Sequence, residues 1–175
     1  MKSIASRLSS FSRLKLLALL VALPAIASAS DIASWIVLNP NGPAPETVFS
    51  TDVLEKSNLV RGNWHVSGTG LIQTEAGPDT AMLYRMILPL PTGGVLRMLA
   101  VTPEEMKARL KAGYVTEGAL GYVSTKAGPG LSPVVRFAKG ERYLWLVSAA
   151  DQAWATKNGW TKEKTVFWLA ADTYR

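Results

Sequence analysis

The side chains able to do chemistry in this chain are few. His65 is the only histidine and cysteine is absent. A Ser-His-Asp triad would have to be built on His65. That residue directly follows Trp64 in a strand-like stretch, so it reads as a surface or hydrogen-bonded strand histidine. Thiol chemistry, cysteine-based metal sites and multi-histidine metal sites are excluded, and no loop carries the alternating acids of a calcium site. The expectation is no metal and no cofactor. Paired carboxylates remain as an acid–base route of the glycosidase type. Glu117 and Glu163 stand at equivalent places in two similar stretches, where a third has Ser67. Recurrence reads as a structural acid taking hydrogen bonds from backbone or from Arg85 and Arg136, rather than as a catalytic pair. The aromatics divide in two. Trp64, Tyr114 and Trp160 recur at one position and read as core plugs. Trp154, Trp145 and Tyr143 break the pattern, since Trp154 aligns with Ala108 and Asn58. They are the candidates for an exposed stacking surface. Lys107, Arg109 and Lys111 share one helix and read as a solvated face.

The elements that must position these groups repeat three times. Asp52-Val53-Leu54-Glu55, Thr102-Pro103-Glu104-Glu105 and Ser148-Ala149-Ala150-Asp151 each place an N-cap oxygen three residues before an acid. The acids Glu55, Glu105 and Asp151 are thereby assigned to capping. Pro103 suits the first helical position, where its missing N–H costs nothing. Eleven residues after each cap comes a residue that tolerates a left-handed turn, followed by an aromatic: Asn63-Trp64, Gly113-Tyr114 and Gly159-Trp160. Helices are predicted at 52–62, 102–112 and 148–158. Strand-like runs follow each helix at 65–73, 115–123 and 161–169. Others precede it at 47–50, 95–101 and 143–147, and a third set opens each unit at 35–38, 83–88 and 134–138. Each unit therefore reads strand, strand, helix, strand over roughly 45 residues, a period within the range of known repeat architectures. The expected fold is α+β, mostly β, with three pseudo-repeats at about 34–81, 82–132 and 133–175. They would close about a pseudo-threefold axis as a β-trefoil-like or other threefold arrangement, in a single domain spanning 30–175.

Composition sets the class and the location. With 175 residues, 48% hydrophobic and 18% charged, the chain is neither disordered nor fibrous. The formal net charge of +6 invites a nucleic-acid partner. Yet Lys2, Arg7, Arg13 and Lys15 fall in the first fifteen residues, leaving 15 bases against 13 acids in the remainder. That basic stretch leads into the apolar run 16–23, Pro24 and Ala27-Ser28-Ala29, the three parts of a cleavable signal peptide over 1–29. The apolar run is too short to span a bilayer, which takes roughly 20 residues. The expected location is exported, periplasmic or secreted, with no transmembrane segment after cleavage and no nucleic-acid partner.

At these residues the chain resembles a family of secreted bacterial and fungal repeats whose function is not established. The units of that family read as a Tyr-Arg-Phe strand, an Asp-His-Phe-Tyr-Thr-Thr strand, a Ser-x-x-Glu helix, Gly-Tyr, Glu-Gly and a final aromatic strand. The second unit matches through Thr102, Glu105, Gly113-Tyr114, Glu117-Gly118 and Gly121-Tyr122-Val123. The third matches through Val135-Arg136-Phe137, Ser148, Gly159-Trp160 and Glu163, and the first keeps Phe49-Ser50-Thr51, Trp64 and Gly68. The family's Asp-His pair is missing from all three units, replaced around Val48, at Gly94-Val95-Leu96 and at Glu141-Arg142-Tyr143. The resemblance implies an accessory binding role. The sequence as a whole therefore leads to an exported, non-enzymatic binding module that recognises a cell-surface or extracellular carbohydrate through exposed aromatics. The alternative is an envelope or secreted protein-interaction factor, an inhibitor or adhesin subunit. A small carboxylate-dependent hydrolase is the least favoured reading.

Overall fold

The computed structural model describes residues 31–42 and 44–172. The signal peptide expected over 1–29 lies outside them. The described chain is mostly β, with nine strands and three helices. Three successive segments follow one order. The first runs β1 (Ile32–Asn39), β2 (Glu46–Ser50), α1 (Val53–Arg61) and β3 (His65–Ile72). The second runs β4 (Thr80–Pro89), β5 (Val95–Ala100), α2 (Pro103–Lys111) and β6 (Val115–Ser124). The third runs β7 (Leu131–Lys139), β8 (Arg142–Leu146), α3 (Ala149–Lys157) and β9 (Thr161–Ala170).

The helix ends show why these residues form these elements. Asp52 accepts from the N–H of Leu54 and Glu55, Thr102 from that of Glu105 and Ser148 from that of Asp151, each satisfying donors that the first turn leaves free. Past each helix, Asn63, Gly113 and Gly159 take positive φ of 66°, 89° and 76°, which reverses the chain into the next strand. The helices bury almost nothing, Ala155 being the one buried residue on them. Their place is fixed from their ends and by the strands beneath, since nine-residue helices are marginal on their own.

Within each segment the opening strand lies between the other two, all antiparallel. The opening strands start three residues earlier than the sequence suggests, because Ile32, Thr80 and Leu131 pair with Ile72, Ser124 and Ala170 at the far ends of the closing strands. The segments join into one open sheet ordered β2-β1-β3-β9-β6-β4-β5, with β7 pairing β9 and β8. The joins are short: Leu71 with Ala170, Ser124 with Trp168 and, just past the end of β3, Gln73 with Tyr122.

The main core draws on all three segments. Ile36, Phe49 and Ile72 of the first pack with Leu83, Met86 and Met98 of the second and Val134, Trp145 and Phe167 of the third. Phe49 meets Phe167 edge to face, with ring centres 6.0 Å apart. A second cluster gathers Leu38 with Phe137, Leu144, Leu146 and Trp160. No helix among the described residues is long and apolar enough to cross a membrane.

Close approach of backbones at the join between β3 and β9 depends on Gly70. A Cβ there would stand 2.6 Å from Leu169 Cβ and 2.7 Å from the Ala170 carbonyl oxygen. Gly70→Ala is expected to lower stability by about 1 to 3 kcal/mol, read from the urea midpoint. A change within about 0.5 kcal/mol, as at an ordinary surface site, would contradict this packing.

Candidate functional site

The most organised polar chemistry lies where one segment meets the next. Arg85 on β4 places Nη1 2.7 Å from Glu55 of α1 and Nε 3.0 Å from Glu117 of β6. Arg136 on β7 repeats the arrangement, with Nη1 2.6 Å from Glu105 of α2 and Nε 2.5 Å from Glu163 of β9. Each guanidinium thus joins the helix of the preceding segment to the closing strand of its own. The strand acid is aimed by an irregularity in the ladder. Register jumps from Arg85–Gly118 to Met86–Thr116, which leaves Glu117 as the extra residue of a β-bulge, and the third segment shifts in the same way around Glu163. Burial acts to lower the pKa of Arg136, but hydrogen bonds to Glu163 and Glu105 outweigh it and hold the guanidinium above its ordinary value.

The remaining junction lacks this clamp. Where Arg85 and Arg136 stand, the first segment has Ile36, and its bulge carries Ser67, which is buried. Asp151 of α3 is instead 2.9 Å from Nε2 of His65 on β3. The Ser148 N–H donates to the Ser67 carbonyl at 3.1 Å, and a Cβ on Gly68 would sit 2.6 Å from Val147. Tight backbone packing stands where the other junctions have a cation. The acids Glu55, Glu105 and Asp151, which sequence alone assigns to helix caps, in fact reach across to the neighbouring segment. The caps themselves are completed by Asp52, Thr102 and Ser148.

A shallow crevice, open to solvent, lies where the starts of β2, β5 and β8 come together. Glu46, Arg97, Arg142 and Tyr143 line it against the apolar wall of Val95 and Leu96. Arg97 Nε is 3.8 Å from a Glu46 carboxylate oxygen. No cluster of three or more metal-binding side chains occurs among the described residues.

Residues 38–170 match the model of a family described as a domain of unknown function (DUF5648). The chain belongs to this family. No curated protein and no solved structure matches the chain.

The aromatics singled out in this family member lie in different surroundings. Trp145 is 1% exposed within the main core, with its indole N–H unpartnered, so its ring is not available at the surface. Tyr143 is half-buried, its ring 5.1 Å from the Arg109 guanidinium and 5.2 Å from that of Arg136. Its hydroxyl accepts from Arg109 Nη2 at 3.2 Å. Trp154 is half-exposed on α3 and packs against the second cluster. Among the junction aromatics, Tyr114 and Trp160 are buried and Trp64 is half-exposed. Burial raises the Tyr114 pKa, the nearby Arg109 opposing this in part. The structure does not bring Trp145, Trp154 and Tyr143 into one exposed surface. Sequence reading gave no role to the crevice residues Glu46, Arg97 and Arg142, which are far apart in the chain. It also missed the His65–Asp151 pair, whose one signal was the acid aligned with Glu55 and Glu105.

Removing the guanidinium of Arg136 leaves two partly buried carboxylates facing each other. Arg136→Ala is expected to cost about 2 to 3 kcal/mol, below the usual range for a fully buried pair. His65→Ala, at a junction where the imidazole is largely exposed, is expected to cost less than about 1 kcal/mol. Urea unfolding of both variants checks this, and equal losses would contradict the different roles of the two junctions.

Proposed function

We propose that this chain is an exported, non-enzymatic binding module that recognises carbohydrate through aromatic surface. The observation that carries the non-enzymatic part is the use of the recurrent acids. Glu55, Glu117, Glu105 and Glu163 are held by Arg85 and Arg136 across segment junctions. A carboxylate fixed in that way is a poor proton donor and a poor nucleophile, which weighs against the hydrolase reading. Export rests on the basic and apolar leader of the sequence. The ligand reading rests on Trp154, whose indole stays half-exposed where α1 and α2 carry Asn58 and Ala108. An indole at a surface offers a flat apolar face to a sugar ring, with neighbouring polar groups setting its orientation.

In the same reading the three segments are repeats closed about a pseudo-threefold axis, in the manner of a trefoil. Support comes from a cycle of contacts: Glu55 of the first segment meets Arg85 of the second, Glu105 of the second meets Arg136 of the third, and Asp151 of the third meets His65 of the first. The stretches that replace the Asp-His pair of the resembled family in the second and third units both line the crevice, through Val95, Leu96, Arg142 and Tyr143.

A protein partner is the second reading, favoured by apolar side chains left in solvent on the first segment. Val53 is 54% exposed, Leu54 69%, Val60 43% and Val66 38%. Glycan-array binding of the mature protein decides between them. The carbohydrate reading expects sugar-competable binding that Trp154→Ala reduces at least tenfold while the far-UV circular dichroism is unchanged. Absence of binding across a broad panel by the folded wild-type protein would contradict it.

A further inference from the structure

Arg97 and Arg142 both line the crevice at the starts of β2, β5 and β8, and neither has a carboxylate as close as those on Arg85 and Arg136. Arg97 Nη1 is buried and has no hydrogen-bond partner. The nearest carboxylate, Glu46, lies 3.8 Å from Arg97 Nε, a separation that permits attraction but is too long for a hydrogen bond. Arg142 lines the same crevice and has no carboxylate within ion-pair distance among the described residues. Its cross-strand partner, Lys139, is another cation, and that ammonium is turned to the carbonyl of Asn158 at 2.9 Å.

A buried N–H of a charged group left without an acceptor is costly, and native proteins meet such a donor with water, an ion or a ligand. The charge at this place decides between those occupants. Arg97 and Arg142 against Glu46 leave a net positive charge among the lining residues, and Arg109 beside Tyr143 adds to it. A water molecule would not neutralise that charge. A carboxylate would, and it matches the planar fork of a guanidinium with two parallel hydrogen bonds. Val95, Leu96 and Tyr143 would take the apolar part of the molecule that bears it.

The geometry points to a carboxylate-binding site formed by Arg97 and Arg142. This site does not depend on Trp154 or on the carbohydrate reading. The carboxylate can come from a free small acid or from an acidic sugar.

The test is an NMR titration of the full mature protein, following the Arg Nε–H resonances, with acetate, galacturonate, galactose, inorganic phosphate and chloride as probes. Acetate and galacturonate are expected to shift Arg97 saturably, and Arg142→Gln, a substitution at a half-buried side chain, is expected to weaken both at least tenfold with the remaining spectrum unchanged. Galacturonate binding tenfold or more tighter than acetate assigns the acid to a sugar, and equal binding assigns it to free small acids. Neutral galactose leaves Arg97 unmoved even if it binds elsewhere, which separates this site from the one at Trp154. The proposal is overturned if no carboxylate gives a saturable shift, if chloride or phosphate shifts Arg97 as strongly, or if Arg142→Gln leaves carboxylate binding intact.

Discussion

The main apolar core is shared by all three strand-strand-helix-strand segments, and the architecture follows from that constraint. The helices are too short to stand alone and bury a single alanine among them. The main core is removed from water where strands of different segments face one another. That is what gathers Ile36 and Phe49, Leu83, Met86 and Met98, and Val134, Trp145 and Phe167 into one core. Without disulfides to hold the pieces, this shared core is the main favourable term.

Sharing a core leaves the question of how neighbouring segments are held in register, and charged groups answer it at two junctions. Each clamp links an opening strand, a bulged closing strand and the first turn of the preceding helix through one guanidinium. The partners are partly buried, so the attraction is screened less than on an open surface while the groups keep some contact with water. The junction between the third and first segments reaches the same end differently, through Gly68 packed on Val147 and a backbone hydrogen bond from Ser148 to Ser67. Because the acids of the clamps are engaged in this way, the groups we propose for recognition lie outside them: the half-exposed indole of Trp154, and Arg97 and Arg142 at the crevice.

The local elements were legible in the sequence for local reasons. An oxygen-bearing cap, an acid three residues on and a residue suited to positive φ eleven residues later mark each helix, and these signals depend only on backbone chemistry near in sequence. Arg85 with Glu117 and Arg136 with Glu163 occupy matching positions in the sequence, and in the structure they are matching ion pairs. What could not be read depends on contacts between segments. Nothing near Glu55 or Glu105 indicates that their carboxylates leave the cap for an arginine some thirty residues later. The burial of Trp145 is set by residues from other segments, and the crevice is formed by three strand starts far apart in the chain.

The central claim is that the three segments stand or fall together on one core. Native-state hydrogen exchange in low denaturant measures it most directly, by giving an opening free energy for amides in β3, β6 and β9 separately. The account predicts that the most protected amides of all three strands exchange through one global opening with the same free energy and the same dependence on denaturant. If one closing strand opened several kcal/mol below the other two, the segments would be separable units and the account would be contradicted.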